Sequence, residues 1–199
     1  MKKKKLVIAT NNRHKMQEIS SILEDSPYKA VSMESEGIFM DPEESGNTFA
    51  ENALIKAKAV SLATGHPVVA DDSGLMVDCL GGAPGVLSKR YSGPQATDQE
   101  NNRLLIENIR KFPPESRTAR FVCNMAFVRP GGTHFVVEGS CEGIILLEPR
   151  GSGGFGYDPV FFVSALGKTF AELSMEEKNK VSHRAKALMQ LKDRLEEGE

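Results

Sequence analysis

Cysteine is scarce in this chain, and its three copies, Cys79, Cys123 and Cys141, are odd in number and far apart. Such a set is no disulfide framework, which excludes a small secreted scaffold and leaves buried small apolar residues as the reading of all three. Long apolar runs are missing as well. A stretch such as Gly143-Ile144-Ile145-Leu146-Leu147 is too short to cross a bilayer. The opening Met1 to Lys5 with Leu6-Val7-Ile8-Ala9 imitates a secretory leader, but Asn11-Asn12-Arg13-His14-Lys15 cuts its apolar part short. Neither sign of charge dominates: 25 Lys and Arg face 27 Asp and Glu, a net charge of −2 that supplies no field for nucleic acid or an anionic membrane. No repeat, linker or low-complexity segment interrupts the sequence. What is there is a chain of 199 residues, 40% of them hydrophobic, expected to be soluble and cytoplasmic. A chain of that length buries roughly 70% of its unfolded surface and needs no staple. A single domain over 1–199, with two lobes, is expected.

The apolar pattern predicts an α/β protein. Lys5 to Ala9 reads as a buried strand, Thr10 to Arg13 as a loop, and His14 to Leu23 as a helix with Met16, Ile19, Ile22 and Leu23 at helical spacing. Thr48 and Glu51 have capping-box spacing before a helix that Gly65 and Pro67 stop. Val68-Val69-Ala70 predicts a second strand, ending in Asp71-Asp72-Ser73-Gly74. Residues 74–96, rich in glycine and proline, read as a long functional loop or loosely helical excursion. Thr97 and Glu100 repeat the capping box. Ala119 to Val128 and Thr133 to Leu147 then read as strands around a Pro130-Gly131-Gly132 turn, and Pro159 to Val163 as another. Ser174 and Glu177 open a last helical region through Leu195. The order implies a mixed sheet with flanking helices.

Three tempting motifs fail on context. Gly151-Ser152-Gly153-Gly154-Phe155-Gly156 spells the dinucleotide fingerprint, but Tyr157-Asp158-Pro159 and a strand follow where a helix should hold the pyrophosphate. Gly167-Lys168-Thr169 ends like a P-loop, yet Phe162 stands at the position of its first glycine. His14, His66, His134 and His183 are isolated, and neither a zinc pattern nor an activated serine or cysteine occurs.

Four polar segments remain at the ends of apolar elements, where α/β proteins place their sites: Thr10 to Lys15, Glu43-Glu44, Asp71-Asp72-Ser73, and Lys178 with His183-Arg184. Carboxylates suit a hard cation, while cations and hydroxyls suit phosphate. Magnesium takes only one or two protein carboxylates and lets substrate oxygens and water fill the rest, so this sparse set is compatible with a magnesium–nucleotide site. Thr10, Asn11, Asn12 and the start of the next helix can bind an anion. Lys15 opposes that helix's dipole, which leaves two readings open, a phosphate contact or a solvated surface lysine. If the strand carrying Asp71 and Asp72 persists, their side chains face opposite ways and only one can address a ligand. Taken alone, the pair reads first as caps or turn formers.

These residues, in this order, resemble the inosine/xanthosine triphosphate pyrophosphatases, the Ham1-like non-canonical purine NTP pyrophosphatases. The resemblance runs from Leu6 to Leu195. It rests on Ala9 to Lys15, Glu44 to Ala53, Ala70 to Leu75, Leu80 to Val86, Arg90 to Gly93, Gly154 to Phe161, and Lys178 with Ser182-His183-Arg184. It implies an elongated mixed β-sheet with flanking helices, two lobes with an active-site cleft between them, and a homodimer. The implied reaction is Mg²⁺-dependent hydrolysis of ITP, dITP and XTP to monophosphate and diphosphate. Thr10, Asn11, Asn12, Arg13, His14 and Lys15, with Lys178, would hold the phosphates. Glu43 and Asp72 would hold the metal, with Glu44 the competing carboxylate. Asp72 would also accept the proton of water, and Ser73 would contact substrate. Phe155, Gly156, Tyr157 and Asp158, with His183 and Arg184, would surround the base, and Lys2 to Lys5 would be a solvated tail. The physics agrees with the resemblance, because cleaving a phosphoanhydride needs neutralised charge and an oriented water, and no covalent nucleophile. Donors from His183 and Arg184 would favour a 6-oxo purine over adenine.

Two other readings compete. A Maf-like pyrophosphatase of related fold would act on other modified or pyrimidine nucleotides, and the Asp71-Asp72-Ser73-Gly74 and Phe155-Gly156-Tyr157-Asp158 motifs argue against it. A nucleotide sensor or RNA-associated protein without turnover has only the lysine-rich start in its favour, and would show salt-sensitive RNA affinity.

Overall fold

The computed structural model describes residues 3–197. The strands are β1 (Lys4–Ile8), β2 (Tyr28–Ser32), β3 (Val68–Val77), β4 (Thr118–Val128), β5 (His134–Ile145), β6 (Phe161–Val163) and β7 (Lys168–Thr169). The helices are α1 (Arg13–Ile22), α2 (Phe49–Thr64), α3 (Asp98–Ile109), α4 (Met175–Val181) and α5 (His183–Glu197). The strands form one sheet in the order β2-β1-β3-β4-β5-β6-β7. β1 runs parallel to β2 and β3, while β6 is antiparallel to β5 and β7, so the class is the expected mixed α/β.

The chain divides into two compact units. The first gathers the described parts of Met1–Asp72, Cys123–Gly139 and His183–Glu199; the second gathers Ser73–Val122 and Ser140–Ser182. In the first unit the pleat sorts side chains by parity. Leu6, Ile8, Val69, Cys123 and Met125 pack in one apolar cluster with Ile19 of α1 and Leu188 and Leu191 of α5. Val7, Ala9, Val68, Ala70 and Ala126 pack in another with Ala53, Ala57 and Val60 of α2. Gly139 lets α5 lie directly on β5, because a Cβ there would sit 2.2 Å from the His183 carbonyl oxygen. The second unit has its own core, in which Leu105 and Ile109 of α3 join Leu75, Val77, Tyr157 and Val160. Phe121, Phe161 and Phe170 meet there with ring centroids 4.6 to 5.7 Å apart.

The structure departs from the sequence reading in five places. β3 does not end at Asp71-Asp72 but continues to Val77, so both aspartates lie within the strand. The stretch 74–96 begins with that strand's end, where no strand was expected, and then carries short 3-10 helices at Asp78–Leu80 and Gly85–Arg90, in keeping with a loosely helical excursion. β2 and β7 were not anticipated. The last helical region breaks at Ser182, whose ψ of 155° is extended. Lys4 and Lys5 are no solvated tail but part of β1, and the Lys5 ammonium pairs with Glu36 at 2.9 Å. Lys2 lies outside the described residues.

Candidate active site

In the first unit the alternation along β3 sends Asp71 and Asp72 to opposite faces, each into a different set of partners. Asp71 points the way of Val69, toward α1 and α5. Its Oδ2 lies 3.0 Å from Lys15 Nζ and 3.3 Å from both Nε and Nη2 of Arg184, and Arg184 Nη1 pairs with Glu18 of α1. Arg184 is 1% exposed, so this is a buried ionic cluster. Burial pushes the Asp71 carboxyl up, but Lys15, Arg184 and Lys56 outweigh it and hold it well below the usual carboxylate range. Lys15 therefore stands at the start of α1 because Asp71 draws it there. The Cys123 thiol on the same face, desolvated and beside Asp71, is pushed up to about 12, which fits a buried, inert cysteine.

Asp72 points the way of Val68 and Ala70, toward α2. Its Oδ2 accepts from Asn52 Nδ2 at 3.2 Å, and its Oδ1 lies 3.5 Å from Lys56 Nζ. Asn52 and Lys56 are one turn apart on α2 and share that face. Lys56 also holds Glu44 Oε1 at 2.7 Å. The loop that delivers Glu44 is built from the helix start. Thr48 and Glu51 form the expected capping box, Glu51 Oε2 accepts from Asn47 N at 2.7 Å, and Asn52 Oδ1 accepts from Gly46 N at 2.8 Å. Only glycine fits at 46, since a Cβ would meet Glu51 Cβ at 2.6 Å. Burial pushes the Asp72 carboxyl up, Lys56 pulls it down, Glu44 adds to the rise, and the net direction is upward. Lys56, although half-buried, is raised because Asp72, Asp71 and Glu44 outweigh its desolvation.

The remaining residues of the first loop are tied into the same unit. Thr10 Oγ1 accepts from Asn12 N at 3.2 Å, and Asn11 Nδ2 donates to Met40 O and Asp41 Oδ1, both at 3.2 Å. Asn12 caps α1, accepting from His14 N and Lys15 N, so those two N–H groups already have a partner. Arg13 and His14 are exposed, and His183 is buried at the start of α5. Glu43, the carboxylate expected at the metal, is exposed; the structure brings Glu44 to Asp72 instead. Among the described residues no group of three or more His, Cys, Asp or Glu stands together as a metal site.

In the second unit Lys178 and Asp158 form a buried pair at 2.7 Å, and Asp158 Oδ2 also accepts from Phe155 N at 2.9 Å. The Lys178 ammonium sits 4.8 Å from the Phe155 ring centroid. Gly154, at φ +72°, has no room for a Cβ, which would fall 2.1 Å from Asp158 Oδ2. Tyr157 turns inward and its hydroxyl donates to the Ser88 carbonyl at 2.8 Å. Ser73 is half-buried in β3.

The profile of the Ham1 family matches residues 6–194. The chain belongs to the Ham1 family. It is 51% identical over 191 residues to a dITP/XTP pyrophosphatase of Geobacter sulfurreducens, covering 96% of each chain. It is 48% identical over 196 residues to one of Escherichia coli, covering 98% of this chain and 99% of the relative. A solved Ham1 protein from Coxiella burnetii superposes with a TM-score of 0.89 at 41% identity, over 97% of this chain and 98% of that one. For this Ham1-family chain, then, the sequence reading named Asp72 and Lys15 but missed Asn52, Lys56 and Glu18. The i, i+4 spacing of Asn52 and Lys56 behind a capping box was the one signal that could have found the first two.

Proposed function

We propose that this chain hydrolyses non-canonical purine nucleoside triphosphates, dITP, ITP and XTP, to the monophosphate and diphosphate. The observation that carries the reading is the pairing of Asp72 and Glu44 around Lys56, in a chain whose Ham1-family relatives include dITP/XTP pyrophosphatases.

Two carboxylates gathered around Lys56, one of them raised chiefly by burial, form a hard-oxygen donor set, which suits Mg²⁺. Asp72 and Glu44 would hold the ion, which when bound neutralises charge developing on the departing diphosphate. Asp72, its carboxyl raised by burial, takes the proton of the attacking water. Asn52 fixes the Asp72 carboxylate through Oδ2, and Lys56 keeps both carboxylates oriented. Lys15 gives one of its three donors to Asp71 and keeps the others for phosphate oxygens. Thr10, Asn11 and Arg13 line the same loop, and Ser73 would contact substrate. Phe155 to Asp158 and His183 would meet the base, with Phe155 offering a ring face and Tyr157 only its backbone, while Lys178 would help with the phosphates. Arg184, its nitrogens turned to Glu18 and Asp71, takes a positioning part instead. The chain would act as a homodimer. No described helix is long and apolar enough to cross a membrane.

The test is a nucleotide panel with and without Mg²⁺. dITP and XTP should release diphosphate with the metal and none without it, while appearance of dIDP and orthophosphate would refute the assigned bond.

A further inference from the structure

The loop that carries Phe155 and Asp158 has a second support that the proposed reaction has not used. Asp98 and Asn102 are one turn apart at the start of α3 and face the same way. Asp98 Oδ2 accepts from Gly156 N at 2.7 Å, and Asn102 Nδ2 donates to Gly156 O at 2.9 Å. Both polar atoms of one backbone residue are thus held by one helical turn. Glycine suits that position, since a φ of +61° is open to it and to few other residues. The grip has a cost in the fold: with its Nδ2 committed to Gly156, Asn102 is 8% exposed and its Oδ1 has no hydrogen-bond partner among the described residues. An asparagine kept only for packing would not strand a buried acceptor in this way. Asp98, Asn102, Phe155 and Gly156 also line one wall of a cavity of about 1090 Å³ in this unit.

We infer that Asp98 and Asn102 are positioning residues for base recognition, setting where the Phe155 ring and the Asp158–Lys178 pair stand before substrate arrives. The inference rests on the reading of this chain as a dITP/XTP pyrophosphatase. A fixed loop removes an ordering cost from binding, so its loss should appear in KM more than in kcat.

The experiment measures dITP hydrolysis and thermal midpoint for wild type, Asp98→Ala, Asp98→Asn, Asn102→Ala and Glu100→Ala. Glu100 hydrogen-bonds with Thr97 in the cap of the same helix, so it controls for a weakened helix start. Asp98→Ala and Asn102→Ala should raise KM about tenfold with kcat within about threefold. Asp98→Asn, which keeps an acceptor for Gly156 N, should return close to wild type. Glu100→Ala should lower the midpoint and leave KM unchanged. An unchanged KM in Asp98→Ala, or an equal rise in Glu100→Ala, overturns the inference. A wild-type protein that releases no diphosphate overturns the functional reading itself, and this arm is read independently of the variants.

Discussion

Asp72→Asn should lower kcat for dITP by about 10³-fold or more while leaving the protein as stable as wild type or slightly more so. The substitution keeps the shape and an acceptor for Asn52 but removes the charge that would hold the metal and take the proton. Stability should not suffer, because folding disfavours the ionised form of Asp72. Its carboxyl is raised from 3.8 by burial and by Glu44, against the pull of Lys56. Stability is therefore eroded as pH rises through the folded value, and an uncharged amide escapes that penalty. Asp71→Asn should do the reverse. That carboxyl is held below its ordinary 3.8, so its charge contributes stability above that pH which is lost on acidification. Its variant should melt several degrees lower yet keep far more activity per folded molecule than Asp72→Asn. Steady-state rates and thermal melts of the two variants check this, and equal residual rates would remove Asp72 from the chemistry.

Arg184→Met should cost about 3–5 kcal/mol, the range for breaking a buried ion pair from one side. The methionine fills the space, but Glu18 and Asp71 remain buried after losing the guanidinium that pairs with both. In a chain of this size each kcal/mol moves the midpoint by about 2–4 °C, so a drop of about 10 °C is expected by thermal melt. Adding Glu18→Leu should restore part of it, since the carboxylate that lost its guanidinium is then gone; no recovery would mean that Arg184 stabilises by packing alone.

Local rules carried much of the fold. The capping boxes at Thr48 and Thr97 place α2 and α3, and the alternation of Val68-Val69-Ala70 already says that Asp71 and Asp72 must part if the strand goes on. That it goes on was hidden by Ser73-Gly74, a pair that elsewhere makes turns. β2 escaped because Tyr28 to Ser32 is short and shows little alternation of buried and exposed residues. The break at Ser182 escaped because the apolar residues of α5 continue a helical period. The site was legible as a list of residues and not as a set of partners. Nothing local couples Glu18 to Arg184, 166 residues away, or makes Lys56 differ from any exposed helical lysine. Glu43 and Glu44 are alike in sequence; the Gly46–Asn52 hydrogen bond decides between them by fixing how the loop meets α2.

Asp72 and Glu44 are proposed to hold the divalent ion together. The most direct test is the Mg²⁺ concentration that half-saturates dITP hydrolysis in Glu44→Gln and in Glu43→Gln. Losing one of two protein carboxylates should raise that concentration about tenfold or more in Glu44→Gln and leave Glu43→Gln at the wild-type value. A shift in Glu43→Gln alone, or in neither, would contradict the account.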